Sequence, residues 1–252
     1  MSDEGRLTGS ELVRAILGNI HESLKWMWQI VMALALVKGV EVFSSTLALL
    51  EVENPFDLVE IFFNEHSVVF LSFVLVFVRF YFGDSRHLDL GYKETQYHHG
   101  LMHELKKYSS WYRLTDIFLL VTHGVFFYFL SLHINDTRHY LYFYLLLLFT
   151  NVLWLLSQFA CSHFSGRNQQ EILIDGMNRY SPLLIWSINN IIFIIIVAAC
   201  VFWKNPWGIY AALVMTLMNS LVDFKLTWKY YFPNLARIHK ESQSQQSDNL
   251  AG

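Results

Sequence analysis

PLLIWSINNIIFIIIVAACVFWKNPWGIYAALVMTLMNSLVDFKL, residues 182–226, decides the fold. It holds two apolar runs, 182–203 and 207–226, separated by the polar break Lys204-Asn205-Pro206. At 1.5 Å per residue, about 20 residues cover the hydrocarbon core of a bilayer, and each run is of that length. Backbone groups in hydrocarbon must be satisfied internally, so runs this long are helices rather than barrel strands. The stretch reads as a transmembrane helical hairpin.

Four earlier runs, 27–50, 67–82, 112–134 and 140–160, have the same character. The run 67–82 is short, but Ile61-Phe62-Phe63 upstream lengthens it. The expected fold class is therefore all-α: a polytopic membrane protein built as a six-transmembrane-helix bundle. Hydrophobic residues make up 54% of the chain and mean hydropathy is +0.33, above an ordinary soluble domain. The pattern divides into an N-terminal segment 1–26, a membrane domain 27–232 and a polar, low-complexity tail 233–252 expected to be disordered. No internal repeat and no cleavable signal peptide is read.

Basic residues set the expected orientation. Of the 18 Lys and Arg, 14 fall on one side: Arg6, Arg14 and Lys25; Arg86, Lys93, Lys106, Lys107 and Arg113; Arg167 and Arg179; Lys225, Lys229, Arg237 and Lys240. Only Arg138 and Lys204 fall on the other, while Lys38 and Arg79 lie within spans. The positive-inside rule then puts both termini in the cytoplasm, in a bacterial inner membrane or a plasma membrane. Residues 8–25 place Leu12, Ala15, Ile16 and Ile20 on one face behind a Thr8/Ser10 capping signal, so a cytoplasmic amphipathic helix is expected there. The outer loop 51–66 is acidic, with Glu51, Glu53, Asp57, Glu60 and Glu65 and no Lys or Arg. Cys161 and Cys200 lie near opposite ends of their spans and cannot pair.

Charged groups near a bilayer centre cost roughly 2.5–3.5 kcal/mol each by insertion scales, so each needs a reason. Counting along the spans puts Lys38, His123, Asn151, Thr216 and Asn219 at one depth, with Asn189 and Asn190 about a turn closer to the cytoplasm. Lys38 pairs naturally with Glu41 on the same face. Ala35 and Gly39 beside the pair invite close approach of another helix. On this basis the first span is the expected central helix, and Lys38, Glu41, His123, Asn151, Thr216 and Asn219 the expected pore or transport path. The plainer alternative is interhelical hydrogen bonding within a protein interior. The second span offers only Ser72 at this depth and reads as peripheral. A second polar layer holds Arg79, Asp116, Gln158, Asp223 and Lys225, where Arg79 would pair with Asp116 or Asp223 as a gate or an inner rim.

The segment 83–111 is rich in histidine. His99 and His103 sit four apart, but Glu104 follows the second His, so the zinc-protease order is absent, and only His163 offers a second segment. No metal and no cofactor is expected. Arg86, His87, Lys93, His99, His103 and Arg113, with Tyr92 and Tyr97, read instead as a loop that senses a small anionic or nucleotide ligand. No nucleophile elbow, phosphate loop, dinucleotide fingerprint or CxxC is present, so enzyme function is disfavoured. The leading expectation is a homo-oligomeric membrane channel gated at its cytoplasmic loops, in contact with lipid and not with nucleic acid. A small proton- or ion-coupled secondary transporter using Lys38, Glu41, His123 and Asp116 is the alternative. A membrane enzyme using the histidine loop comes third.

Single cysteines placed at Glu53 and at His99 should react with a membrane-impermeant maleimide from opposite sides of the membrane. Labelling of both from one side would sink the orientation.

Overall fold

The computed structural model describes residues 9–48, 64–89, 110–164, 180–203 and 207–231. Among them every regular element is a helix: α1 Gly9–Leu47, α2 Glu65–Leu88, α3 Ser110–Leu132, α4 Thr137–Phe164, α5 Tyr180–Phe202 and α6 Trp207–Tyr231. All six contain a stretch long and apolar enough to cross a membrane, which marks the chain as an integral membrane protein. Their outward surfaces agree: Trp26, Val37, Phe118, Ile195 and Trp207 are exposed, an arrangement that only lipid accommodates at this scale.

Local chemistry sets the helix starts. Asn64 has extended backbone angles and its side chain accepts from the Ser67 amide at 2.8 Å, a cap for α2. At the tight turn between α3 and α4, Asp136 Oδ1 accepts from the His139 amide at 3.1 Å and so caps α4. Burial works to raise the Asp136 carboxyl. The His139 amide and ring bonds, with the charges of His139 and His133, nonetheless hold it below the ordinary aspartate value. Thr137 donates to Glu65, tying the start of α4 to the start of α2.

The helices close into a ring in the spatial order α1, α2, α6, α5, α4, α3, and α2 also touches α3 and α4 across it. Fully buried Trp28, Met32, Phe73, Phe127, Tyr140 and Tyr144 belong to one hydrophobic cluster, so the described helices pack around a core. Lipid is as apolar as leucine, so this packing and the polar contacts, rather than exclusion of water, hold the helices together.

Several sequence expectations are corrected here. The expected surface helix over 8–25 is not a separate element: from Gly9 to Leu47 the chain is one 39-residue helix. The second span is not peripheral, because Ser72, Phe73, Val76, Arg79 and Phe80 of α2 are all buried. Conversely, 17% of the apolar window of α1 is buried against 50% of that of α4, so α1 is the outlying helix. Helix α2 also runs beyond Phe82, so Asp84, Arg86 and His87 are helical rather than part of a loop. The rest of the histidine segment, including Lys93, His99 and His103, lies outside the described residues, as do the acidic loop 51–63 and the tail 232–252.

Two glycines allow close approach to α1 and fix its depth. A Cβ at Gly124 would overlap Val31 Cγ1, and one at Gly39 would lie 2.6 Å from Phe73 and 3.2 Å from Ile134. The Ala35/Gly39 stripe therefore does meet neighbouring helices. Gly124→Ala should lower stability by about 1–3 kcal/mol through overpacking, and Val31→Ala in the same chain should restore most of it. Thermal unfolding of the four chains of this cycle in detergent checks the coupling; additive losses would refute it.

Candidate functional site

Helix α2 carries polar groups down one side, and α6 lies parallel to it in fixed register. Ser72 Oγ meets Thr216 Oγ1 at 2.6 Å, and two turns further on Arg79 Nε meets Asp223 Oδ2 at 3.0 Å. Seven residues on each helix separate the two contacts, the repeat that keeps one face of each helix against the other. Towards the end that carries the α3–α4 turn, the bonds are neutral and directional. Tyr140 donates to Ser72 at 3.1 Å, and Thr216 donates to the Leu213 carbonyl at 2.7 Å. Ser72 is left to donate to Thr216. One level along, Asn189 donates to Asn219 at 2.7 Å and Asn219 donates to the Tyr144 hydroxyl at 2.6 Å.

The charged half follows. Arg79 also donates from Nη2 to Asn190 Oδ1 at 2.5 Å, and Tyr231 donates to Asp223 at 2.5 Å. The Arg79 and Asp223 side chains are 3% and 0% exposed, so the pair is fully withdrawn from lipid and water. Arg79 Nη1, Asn190 Nδ2 and Asp223 Oδ1 have no hydrogen-bond partner among the described residues. The pair is therefore fully buried but not fully satisfied in its hydrogen bonds.

Two imidazole–carboxylate pairs lie beyond it. His123 Nδ1 of α3 sits 3.0 Å from Asp84 Oδ2, with Phe80 edge-on to the imidazole at 5.1 Å and Trp28 at 6.5 Å. His87 Nε2 lies 3.7 Å from Asp116 Oδ1, within ion-pair reach but too long for a hydrogen bond. Trp154 and Gln158 of α4 donate to the same Asp116 oxygen at 3.3 and 3.2 Å. Between the two pairs lies a cavity of about 10 Å³, lined by Asp84, His87, Asp116 and Trp154 and large enough for one water. At the helix end, Asp89 takes His21 at 3.0 Å and Lys25 at 3.1 Å from α1.

The sequence-derived residues divide accordingly. Arg79 and Asp223 pair with each other; Asp116 is bound elsewhere, so of the two expected partners of Arg79 only Asp223 is in contact. His123, Asn151, Thr216 and Asn219 are buried within the bundle. Lys38 and Glu41 pair at 3.0 Å, but on the outside of α1, with Glu41 66% exposed. Their mid-span depth is corrected as well. Trp28 stands beside His123, Val31 against Gly124 and Gly39 against Ile134, so Lys38 is level with the α3–α4 turn. At that level the pair bears no midplane desolvation cost, and it does not join the other expected path residues. Of the expected ligand-sensing set, Arg86 and His87 sit in the last turn of α2, and His87 faces the interior. Arg113 lies in the first turn of α3.

The sequence reading missed Asp84 and His87 as interior partners, and named Asn190 in the polar layer without its partner Arg79. The available signal was spacing, since Ser72, Arg79 and His87 recur along one side of α2 once its helix is extended. Comparison of the chain with known protein families, with curated proteins and with solved structures finds no match.

Removing one partner of a buried pair strands the other, at roughly 3–5 kcal/mol. Arg79→Ala and Asp223→Ala should each lower stability on that scale, whereas the double change Arg79→Met with Asp223→Leu should recover most of the loss. Denaturant titration in detergent micelles tests this, and single changes that cost nothing would show the pair to be incidental.

Proposed function

We propose that the chain is a small proton-coupled secondary transporter whose titrating centre is the set of pairs along α2. Charge balance carries this reading. Arg79 faces Asp223 at 3.0 Å as a permanent cation, whereas the charge partner that faces Asp84 is the His123 imidazole, also at 3.0 Å. Imidazole is the side chain whose ordinary titration falls between pH 5 and 8. Both side chains are buried, so a charge on either without its counterpart costs several kcal/mol unless another ion compensates it. Exchange of one charge for another at a buried site is the coupling that secondary transport requires. A water-sized cavity opens beside Asp84, His87 and Asp116, with Leu88, Leu119 and Leu120 as its apolar walls.

The bias of basic residues supports an orientation in which both termini and the charged half of the bundle face the cytoplasm. The apolar face of 8–25 fits the first turns of α1 lying at that interface. The oligomeric pore is the second reading, and one observation favours it: Lys38 and Glu41 lie on the outside of α1, where a neighbouring copy could complete a polar lining. Against it, most of the remaining outward surface of α1, including Trp26, Ile30, Leu34 and Val37, is apolar.

Purified protein in vesicles containing a pH dye tests the proposal. Imposed gradients of sodium, potassium, calcium or chloride should include one that drives a pH change, and Asp84→Asn and His123→Gln should abolish it while Lys38→Gln leaves it intact. Unitary currents altered by Lys38→Glu but not by Asp84→Asn would favour the pore. Absence of any ion-driven pH change would remove the transporter reading for these ions.

A further inference from the structure

We infer that the turn joining α3 to α4 is a binding site for a divalent transition-metal ion, held by His133, Asp136 and His139. These three side chains each present a ligand atom, and the atoms lie within 4.8 Å of one another. The spacing is His-x-x-Asp-x-x-His across a helix end, a tight turn and a new helix start, so the three converge from both helices rather than from one face. The turn is closed by the Asp136 amide donating to the His133 carbonyl at 3.0 Å. Asp136 uses Oδ1 for the cap of α4, which leaves Oδ2 directed at His139 Nδ1, 2.6 Å away.

The imidazoles are set by aromatic packing. His133 stacks on Phe143 at 5.2 Å and 14°, Phe143 stacks in turn on Phe129 at 4.8 Å, and the His133 and His139 rings lie 5.3 Å apart at 25°. Two imidazoles and one carboxylate form a borderline nitrogen–oxygen set that suits zinc, nickel or copper rather than calcium or magnesium. The His139 and Asp136 side chains are 58% and 45% exposed, so the ion is reached from solvent and keeps water in its remaining positions. Binding requires the Asp136–His139 hydrogen bond to open and a small rotation of each ring to shorten the ligand distances. The bound ion then clamps the α3–α4 hairpin. The site is separate from the pairs along α2 and independent of the transport reading.

Cobalt(II) serves as a spectroscopic probe, with zinc competition, on the untagged full chain in detergent. The expected result is about one ion per chain, with visible absorption of a low-coordinate nitrogen–oxygen site that zinc displaces, and a melting temperature raised by zinc. A His98/His99/His103→Ala chain should bind equally, separating this site from the histidine segment. His139→Ala should weaken binding at least about tenfold. Asp136→Asn should do the same while keeping the α4 cap, since asparagine caps as well as aspartate, so its metal-free melting temperature should fall only by the loss of the exposed Asp136–His139 pair. Absence of binding, binding that survives both Asp136→Asn and His139→Ala, or binding lost only in the His98/His99/His103 variant would each overturn the inference.

Discussion

The ion pair between Arg79 and Asp223 is the constraint on which the bundle depends. An arginine within a lipid-spanning helix has few stable placements, and here it is met by one carboxylate and one amide, both buried. A slip of one residue along either helix would turn the partner by about 100° and leave a charge facing lipid. That penalty fixes the register of α2 against α6, and the Ser72–Thr216 bond two turns away then falls into place. With α2 committed to the interior, its further polar groups Asp84 and His87 must also find partners inside, and α3 and α4 supply them through His123, Asp116, Trp154 and Gln158. The order of helices in the ring follows from these obligations.

What the sequence makes legible follows from the same physics. The six spans are readable because hydrocarbon thickness sets a length and basic residues punctuate it. The pairing of Arg79 with Asp223 or Asp116 is readable because a membrane arginine must be paired. The inward face of a span is not readable from hydrophobicity, since lipid-facing and protein-facing surfaces are equally apolar. Span two therefore looks peripheral by its Phe and Val content, although Phe73 and Val76 are fully buried. Depth is equally hidden where an apolar run exceeds the membrane. Helix α1 is long enough to slide, and only the close contacts of Val31 with Gly124 and of Gly39 with Ile134 show that Lys38 stands at a helix-end level. The end of α2 goes unread because Asp84 and His87 look like solvent-exposed loop residues until their partners on α3, His123 and Asp116, are known.

The two kinds of buried pair behave differently. Arginine is charged at any accessible pH, so Arg79–Asp223 is a permanent fixture that holds helices. In Asp84–His123 and His87–Asp116 the carboxylate instead faces an imidazole, which makes these pairs conditional on the tautomer and charge of the ring. Both conditional pairs share α2 with the permanent one, and both reach across to α3. The α2–α6 contact is thus held by an arginine pair and the α2–α3 contact by two imidazole pairs. On that side of α2, α1 is the outlying helix and touches the site through Trp28 and, at the helix end, through His21 and Lys25 on Asp89. The least buried span thus meets the fully buried His123 through a tryptophan, Trp28, that is itself fully buried.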